Sequence, residues 1–114
     1  MGIDNVHLNR GMVPVVIASG ETVSTSGTLY GNTLCAIATP AALTGVTLTF
    51  QASADNTTFY PIYDSFGVEL SITVSTSQWI VVDPADFAST AFVKVVSSGA
   101  EGADRTIQLV VRPV

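Results

Sequence analysis

The sequence predicts an all-β fold: an antiparallel β-sandwich of about eight strands, jelly-roll or immunoglobulin-like, with an extended N-terminal arm. Three observations predict it. Apolar and polar residues alternate with a period of two in several separate runs, the mark of half-buried strands. Clusters of Gly, Pro, Asn, Asp and Ser recur at about the 8–12-residue spacing of sandwich and barrel turns. Nowhere does an amphipathic helical period run for three turns.

Residues 1–12, MGIDNVHLNRGM, hold no clear period and read as the arm. Its apolar members Ile3, Val6 and Leu8 need a surface to lie on, in this chain or a neighbour. Residues 13–114 read as a single sandwich domain. Val13–Ala18 is the first strand, and Pro14 suits an edge, where a missing donor does little harm. Thr22–Ser26 is a short polar strand or loop, and Leu29 and Tyr30 lie between two glycines. Thr33–Thr39 is nearly all apolar, as expected of a strand buried on both faces. From Val46, the residues Val46, Leu48, Phe50 and Ala52 share one face, and Thr47, Thr49, Gln51 and Ser53 the other. Ala54-Asp55-Asn56 tolerates turn geometry, and Thr58–Tyr63 returns as an aromatic strand.

Asp64-Ser65-Phe66-Gly67 is the next turn. After it, Val68, Leu70, Ile72 and Val74 alternate with polar residues. Gln78–Val82 is a further strand. In Asp83-Pro84-Ala85-Asp86-Phe87, Asp83 can cap a helical turn with Pro84 at its first position. Ala91–Ser97 turns Val93 and Val95 inward and Lys94 outward. Residues 98–104, SGAEGAD, read as a flexible polar loop. Thr106–Arg112 closes the domain on Ile107, Leu109 and Val111.

Composition narrows the function classes. Only 11% of the 114 residues are charged, while 47% are hydrophobic; soluble domains average about 25% charged. A surface this poor in charge fits coverage by partners, so self-association or a larger assembly is expected. The net charge is −5, and the four basic residues Arg10, Lys94, Arg105 and Arg112 are scattered. Phosphate neutralisation has no basic run to work with, so neither nucleic acid nor an anionic membrane is an expected partner. No apolar run approaches the ~20 residues of a membrane span. The stretch after Arg10 imitates a signal peptide, but Asp4, Pro14 and its shortness argue against one. Met1-Gly2 lacks the Ser or Thr of a myristoylation signal.

No reaction chemistry is visible, and no enzyme is expected. His7 is the one histidine and Cys35 the one cysteine, so triads and His/Cys metal sites fail on numbers. Cys35 reads as a small buried hydrophobe and can form no internal disulfide. Asp55, Asn56, Asp64, Asp83 and Asp86 lack the spacing of a calcium loop and suit turns and caps. Glu69 has no implied carboxylate partner. Thus no cofactor and no metal is expected. The aromatic residues Tyr30, Tyr60, Tyr63 and Trp79 are the candidates for stacking on sugar rings, should the domain bind glycan.

The run Phe50-Gln51-Ala52-Ser53-Ala54-Asp55, then Thr57-Thr58-Phe59, Tyr63-Asp64, Gly67-Val68-Glu69, Asp83–Phe87 and Lys94-Val95 resembles small β-sandwich virion proteins of tailed bacteriophages. The resemblance covers residues 45–97. It implies a structural virion component, with capsid decoration (cement) protein as the chosen role. Such proteins lack enzymatic chemistry, often form trimers and clamp capsomers through extended arms. The resemblance thus implies the major capsid protein and copies of the chain itself as partners, in a homo-trimer. The expected location is the capsid surface of the virion, after assembly in the host cytoplasm. Ile3, Val6, His7, Leu8 and Arg10 become the expected contact residues. The hairpin at residues 53–59 is also similar to one in discoidin-like sandwiches. That supports the alternative, a tail, fibre or free carbohydrate-binding module that recognises host glycan.

Overall fold

A computed structural model describes residues 11–113. The described residues form nine strands and one short 3-10 turn. The strands are β1 (Gly11–Ile17), β2 (Gly27–Thr28), β3 (Asn32–Ala38), β4 (Thr47–Ser53), β5 (Tyr60–Pro61), β6 (Ser71–Thr73), β7 (Trp79–Val81), β8 (Phe92–Ser97) and β9 (Arg105–Pro113). All pairings are antiparallel. Sheet A has the order β1-β9-β3-β7, and sheet B the order β2-β8-β4-β5, with β6 also on β4. β5 and β6 lie along the same side of β4 and act as two halves of one broken strand. Counted so, eight strands lie four to a sheet in the order of the double Greek key of a jelly roll, one of the two predicted arrangements.

The inward residues follow the predicted alternation. Val15 and Ile17 of β1, Leu48 and Phe50 of β4, Val93 and Val95 of β8, and Ile107, Leu109 and Val111 of β9 are all buried between the sheets. Phe87, delivered by the 3-10 turn Pro84–Phe87, meets Phe50 edge-on with ring centres 5.1 Å apart. Asp83 caps that turn as expected, its Oδ1 accepting from Ala85 N at 3.0 Å.

Several expectations are corrected. β1 begins at Gly11, so Gly11 and Met12 belong to the sandwich, paired with Val111 and Val110. Residues 1–10 lie outside the described residues. Of the two forms expected for Thr22–Ser26, the loop is the one present, with an isolated bridge at Val23. The aromatic strand shortens to Tyr60–Pro61, because the chain then leaves the sheet. Ile62 N donates to Phe50 O at 3.0 Å, and Leu70 N donates to Ile62 O at 2.8 Å. Between them Tyr63 pairs with Glu69, and residues 63–69 stand out as a hairpin. Val68 is therefore exposed, and only Leu70, Ile72 and Val74 rejoin the core. Val46, before β4 starts, is exposed as well. In β3 a bulge at Cys35 interrupts the register, and the Cys35 thiol, half-buried, donates to Val110 O at 3.3 Å.

The largest correction concerns residues 98–104. This loop is pinned by Glu101, whose side chain is fully buried. Its carboxylate accepts from Thr44 N at 2.8 Å, Gly45 N at 3.0 Å, Ser97 Oγ at 2.8 Å and Arg105 Nε at 3.0 Å. Its backbone N–H donates to Glu21 O at 3.0 Å, and its carbonyl accepts from Gly20 N at 2.7 Å. One residue thus joins the β1–β2, β3–β4 and β8–β9 loops at one end of the sandwich. Thr39 ties in the fourth loop there: its hydroxyl donates to Ser75 O and accepts from Gln78 N. A Cβ at Gly45 would run into Ser97 Oγ, so only glycine allows the close approach. Burial pushes the Glu101 carboxyl up, but the Thr44 and Gly45 amides, the Ser97 hydroxyl and Arg105 outweigh it and hold its pKa at about 2, below the ordinary 4.5.

Glu101→Gln removes the charge from this cage and sets an amide NH2 against backbone donors. It should cost about 3–5 kcal/mol in urea or thermal unfolding. Gly45→Ala should cost about 1–3 kcal/mol by the same measurement, through overpacking. A lowered folded pKa means stabilisation present above the unfolded value and lost on acidification. Wild-type stability should therefore fall as pH drops from about 4.5 towards 2, with Glu101→Gln showing a flatter profile over that window.

Candidate functional site

The register assembles a surface that no single strand reveals. Odd residues of β1 point into the core, so Met12, Pro14 and Val16 point out of sheet A. Met12 lies opposite Val110 of β9, which lies opposite Ala36 of β3, which lies opposite Val81 of β7. The next row runs Pro14, Gln108, Ala38 and Trp79. A third, shorter row pairs Val16 with Thr106. None of these ten side chains is charged. Met12, Trp79 (59% exposed) and Val81 (76% exposed) rise from the face, around the smaller Ala36 and Ala38. Four strands at about 4.8 Å spacing make it about 14 Å wide between its outer strands. Arg112 is the charged residue at its border, next outward along β9.

The outer face of sheet B is chemically different. Its rows carry Thr28, Phe92 and Ser53, then Lys94 and Gln51, then Val96 and Thr49. Lys94 Nζ sits 4.3 Å from the centre of the Phe59 ring, a cation–π contact. Tyr30 leans edge-on against Phe92, with ring centres 6.2 Å apart. Tyr30 is 80% exposed and has φ of 42°, a left-handed backbone that costs a bulky residue about 1–2 kcal/mol.

The expected glycan-stacking residues are scattered. Tyr30 lies on the β2–β3 turn beside sheet B, and Trp79 on the outer edge of sheet A. Tyr60 starts β5, and Tyr63 opens the projecting hairpin. All four are exposed, but they do not share one face. The expected contact residues Ile3, Val6, His7, Leu8 and Arg10 lie outside the described residues.

The carboxylates hold turns, as their spacing predicts. Asp55 Oδ1 accepts from Thr58 N at 3.0 Å, Thr57 N at 2.9 Å and Ser53 Oγ at 2.9 Å, and these bonds keep its carboxyl below the ordinary value. Asp64 Oδ1 accepts from Phe66 N at 2.8 Å and Val68 N at 3.0 Å, which fixes the hairpin tip. No group of three or more His, Cys, Asp or Glu among the described residues is arranged to hold a metal ion. No helix of the described residues is long and apolar enough to cross a membrane.

At the edge where β6 and β7 end the two sheets, a cleft of about 230 Å³ opens into the core. Phe50, Leu70, Ile72, Val82 and Phe87 wall it, with Asp83 and Asp86 at the rim. Sequence reading missed both surfaces. The sheet face needs the register of four strands, and the cleft needs the break between β5 and β6. The signals present were the apolar even positions of β1 and the apolar residues 66 and 68 in a turn. No protein-family model and no curated protein sequence matches the chain.

Proposed function

We propose that the protein is a non-enzymatic structural component of a tailed-bacteriophage virion, a capsid decoration protein that binds and stabilises the lattice of the major capsid protein. The observation that carries this reading is the outer face of sheet A, whose three cross-strand rows hold no charge and whose bordering charge is Arg112. A solvated sheet face is normally rich in polar and charged side chains. Here two cross-strand rows hold Gln108 as their one polar residue. Burying such a face recovers about 25 cal/mol per Å2 of apolar area without stranding a charge.

The resemblance of residues 45–97 supplies the virion. The jelly roll serves capsid and lectin domains alike, so the fold itself does not choose between them. In sequence, Ile3, Val6 and Leu8 precede β1, the strand at the edge of sheet A. Copies of the chain itself are the second partner in this reading.

Glycan recognition by a tail or fibre module is the competing reading. A sugar platform needs rings that share a face, and Tyr30, Tyr60, Tyr63 and Trp79 do not. The scatter favours the decoration role.

Co-sedimentation with capsid shells tests the proposal. Val110 sits half-buried at the middle of the first row, where a lysine can extend its ammonium outward. Val110→Lys should keep the wild-type melting temperature within a few degrees and weaken shell binding about tenfold or more. Wild-type protein that fails to bind shells, or a variant that binds as tightly, refutes the role assigned to this face.

A further inference from the structure

The geometry points to a second, self-complementary surface: the Phe66 side chain of one copy seats in the β6–β7 cleft of another, and the contact is reciprocal. Phe66 stands at the tip of the 63–69 hairpin and is 90% exposed. Asp64 fastens its backbone, so the ring is presented on a fixed turn at little further entropic cost. Tyr60, Tyr63 and Val68 on the same excursion, and Val81 on the lip of the cleft, are between 55% and 76% exposed. A lone monomer would leave this whole cluster in water.

Size selects the occupant. An apolar cavity of about 150 Å³ holds a benzene ring. The cleft, at about 230 Å³, admits one phenyl ring with room for its Cβ, while small-molecule sites run to about 300–1,000 Å³. Its deep walls, Phe50, Leu70, Ile72, Val82 and Phe87, are apolar, while Ser71, Asp83 and Asp86 also line it. The five exposed side chains present on the order of 600 Å2, taking about 150–250 Å2 for a whole aromatic side chain. With the cleft walls, that approaches the ~800 Å2 per partner of a standard protein interface.

Position selects the symmetry. The hairpin runs directly into Leu70 and Ile72, so knob and hole sit side by side on one edge of the sandwich. Self-complementary neighbours of this kind pair about a two-fold axis. β7 adds a reason for the edge to be covered. Its Gln78 carbonyl and Val82 amide point to β3, which leaves the backbone groups of Trp79 and Val81 facing the open side. Trp79-Ile80-Val81 carries no charge, proline or bulge to protect it. The rim carboxylates Asp83 and Asp86 approach Asp64 and Glu69 of the other copy, so added salt strengthens the pair. This pairing is independent of any capsid attachment and differs from the three-fold grouping that the resemblance implies.

Sedimentation equilibrium on the whole chain, from micromolar to millimolar, tests it. The wild type should move from one chain mass towards two, more readily as salt rises, and Phe66→Ser should raise the dissociation constant about tenfold or more. In a Cys35→Ser background, Ser65→Cys mixed with Asp86→Cys and oxidised by added oxidised glutathione, which takes up the two electrons, should yield a mixed disulfide between chains. A wild type that stays monomeric or forms trimers overturns the proposal. So do association that weakens with salt, unchanged dimerisation of Phe66→Ser, and the absence of the mixed disulfide.

Discussion

Glu101 is the interaction on which the rest of the structure depends. A jelly roll threads its chain back and forth between two sheets, and its loops must close the end of the sandwich without burying orphaned amides. Here one carboxylate receives the amides of Thr44 and Gly45, the Ser97 hydroxyl and Arg105, while its own backbone bonds to Gly20 and Glu21. A buried carboxylate alone would be expensive. Four donors, one of them cationic, reverse that cost and turn the group into an anchor. The glycine at position 45 exists to let the chain come that close.

With the loop end so fixed, the remaining molecule spends few charges on itself. The Glu101–Arg105 pair is the one ion pair among the described residues. Asp55, Asp64 and Asp83 point their oxygens at backbone amides and hold turns. What is left for solvent is unusually apolar: the outer rows of sheet A, and the hairpin beside the β6–β7 cleft. The two surfaces meet at β7, whose Val81 belongs to both. A free monomer gains nothing from such an arrangement, whereas a protein built into an assembly has partners for both.

The sandwich was legible because a period of two is a local signal. Val93 and Val95 against Lys94, or Ile107, Leu109 and Val111 in the last strand, declare their faces without help from the rest of the chain. The Asp83-Pro84 cap is equally local. Glu101 was not legible. In SGAEGAD it stands among turn-forming residues, and nothing nearby in sequence announces that Thr44, Gly45 and Ser97 converge on it. The break between β5 and β6 hid for a related reason. Val68 continues the alternation of Leu70 and Ile72, yet the hairpin closed by Tyr63 and Glu69 lifts it off the sheet. The sheet A face is a property of register, since Met12, Val110, Ala36 and Val81 come from four strands spread over the chain.

The claim at the centre of this account is that the bare face of sheet A is bare because a shell covers it. Electron microscopy of the parent particle, at a resolution that orients the sandwich, tests that claim most directly. The chain is expected on the outer surface of the capsid, with the Met12–Val110–Ala36–Val81 row turned towards the major capsid protein. Density for the chain on the tail, or on the shell with that row facing solvent, would contradict it.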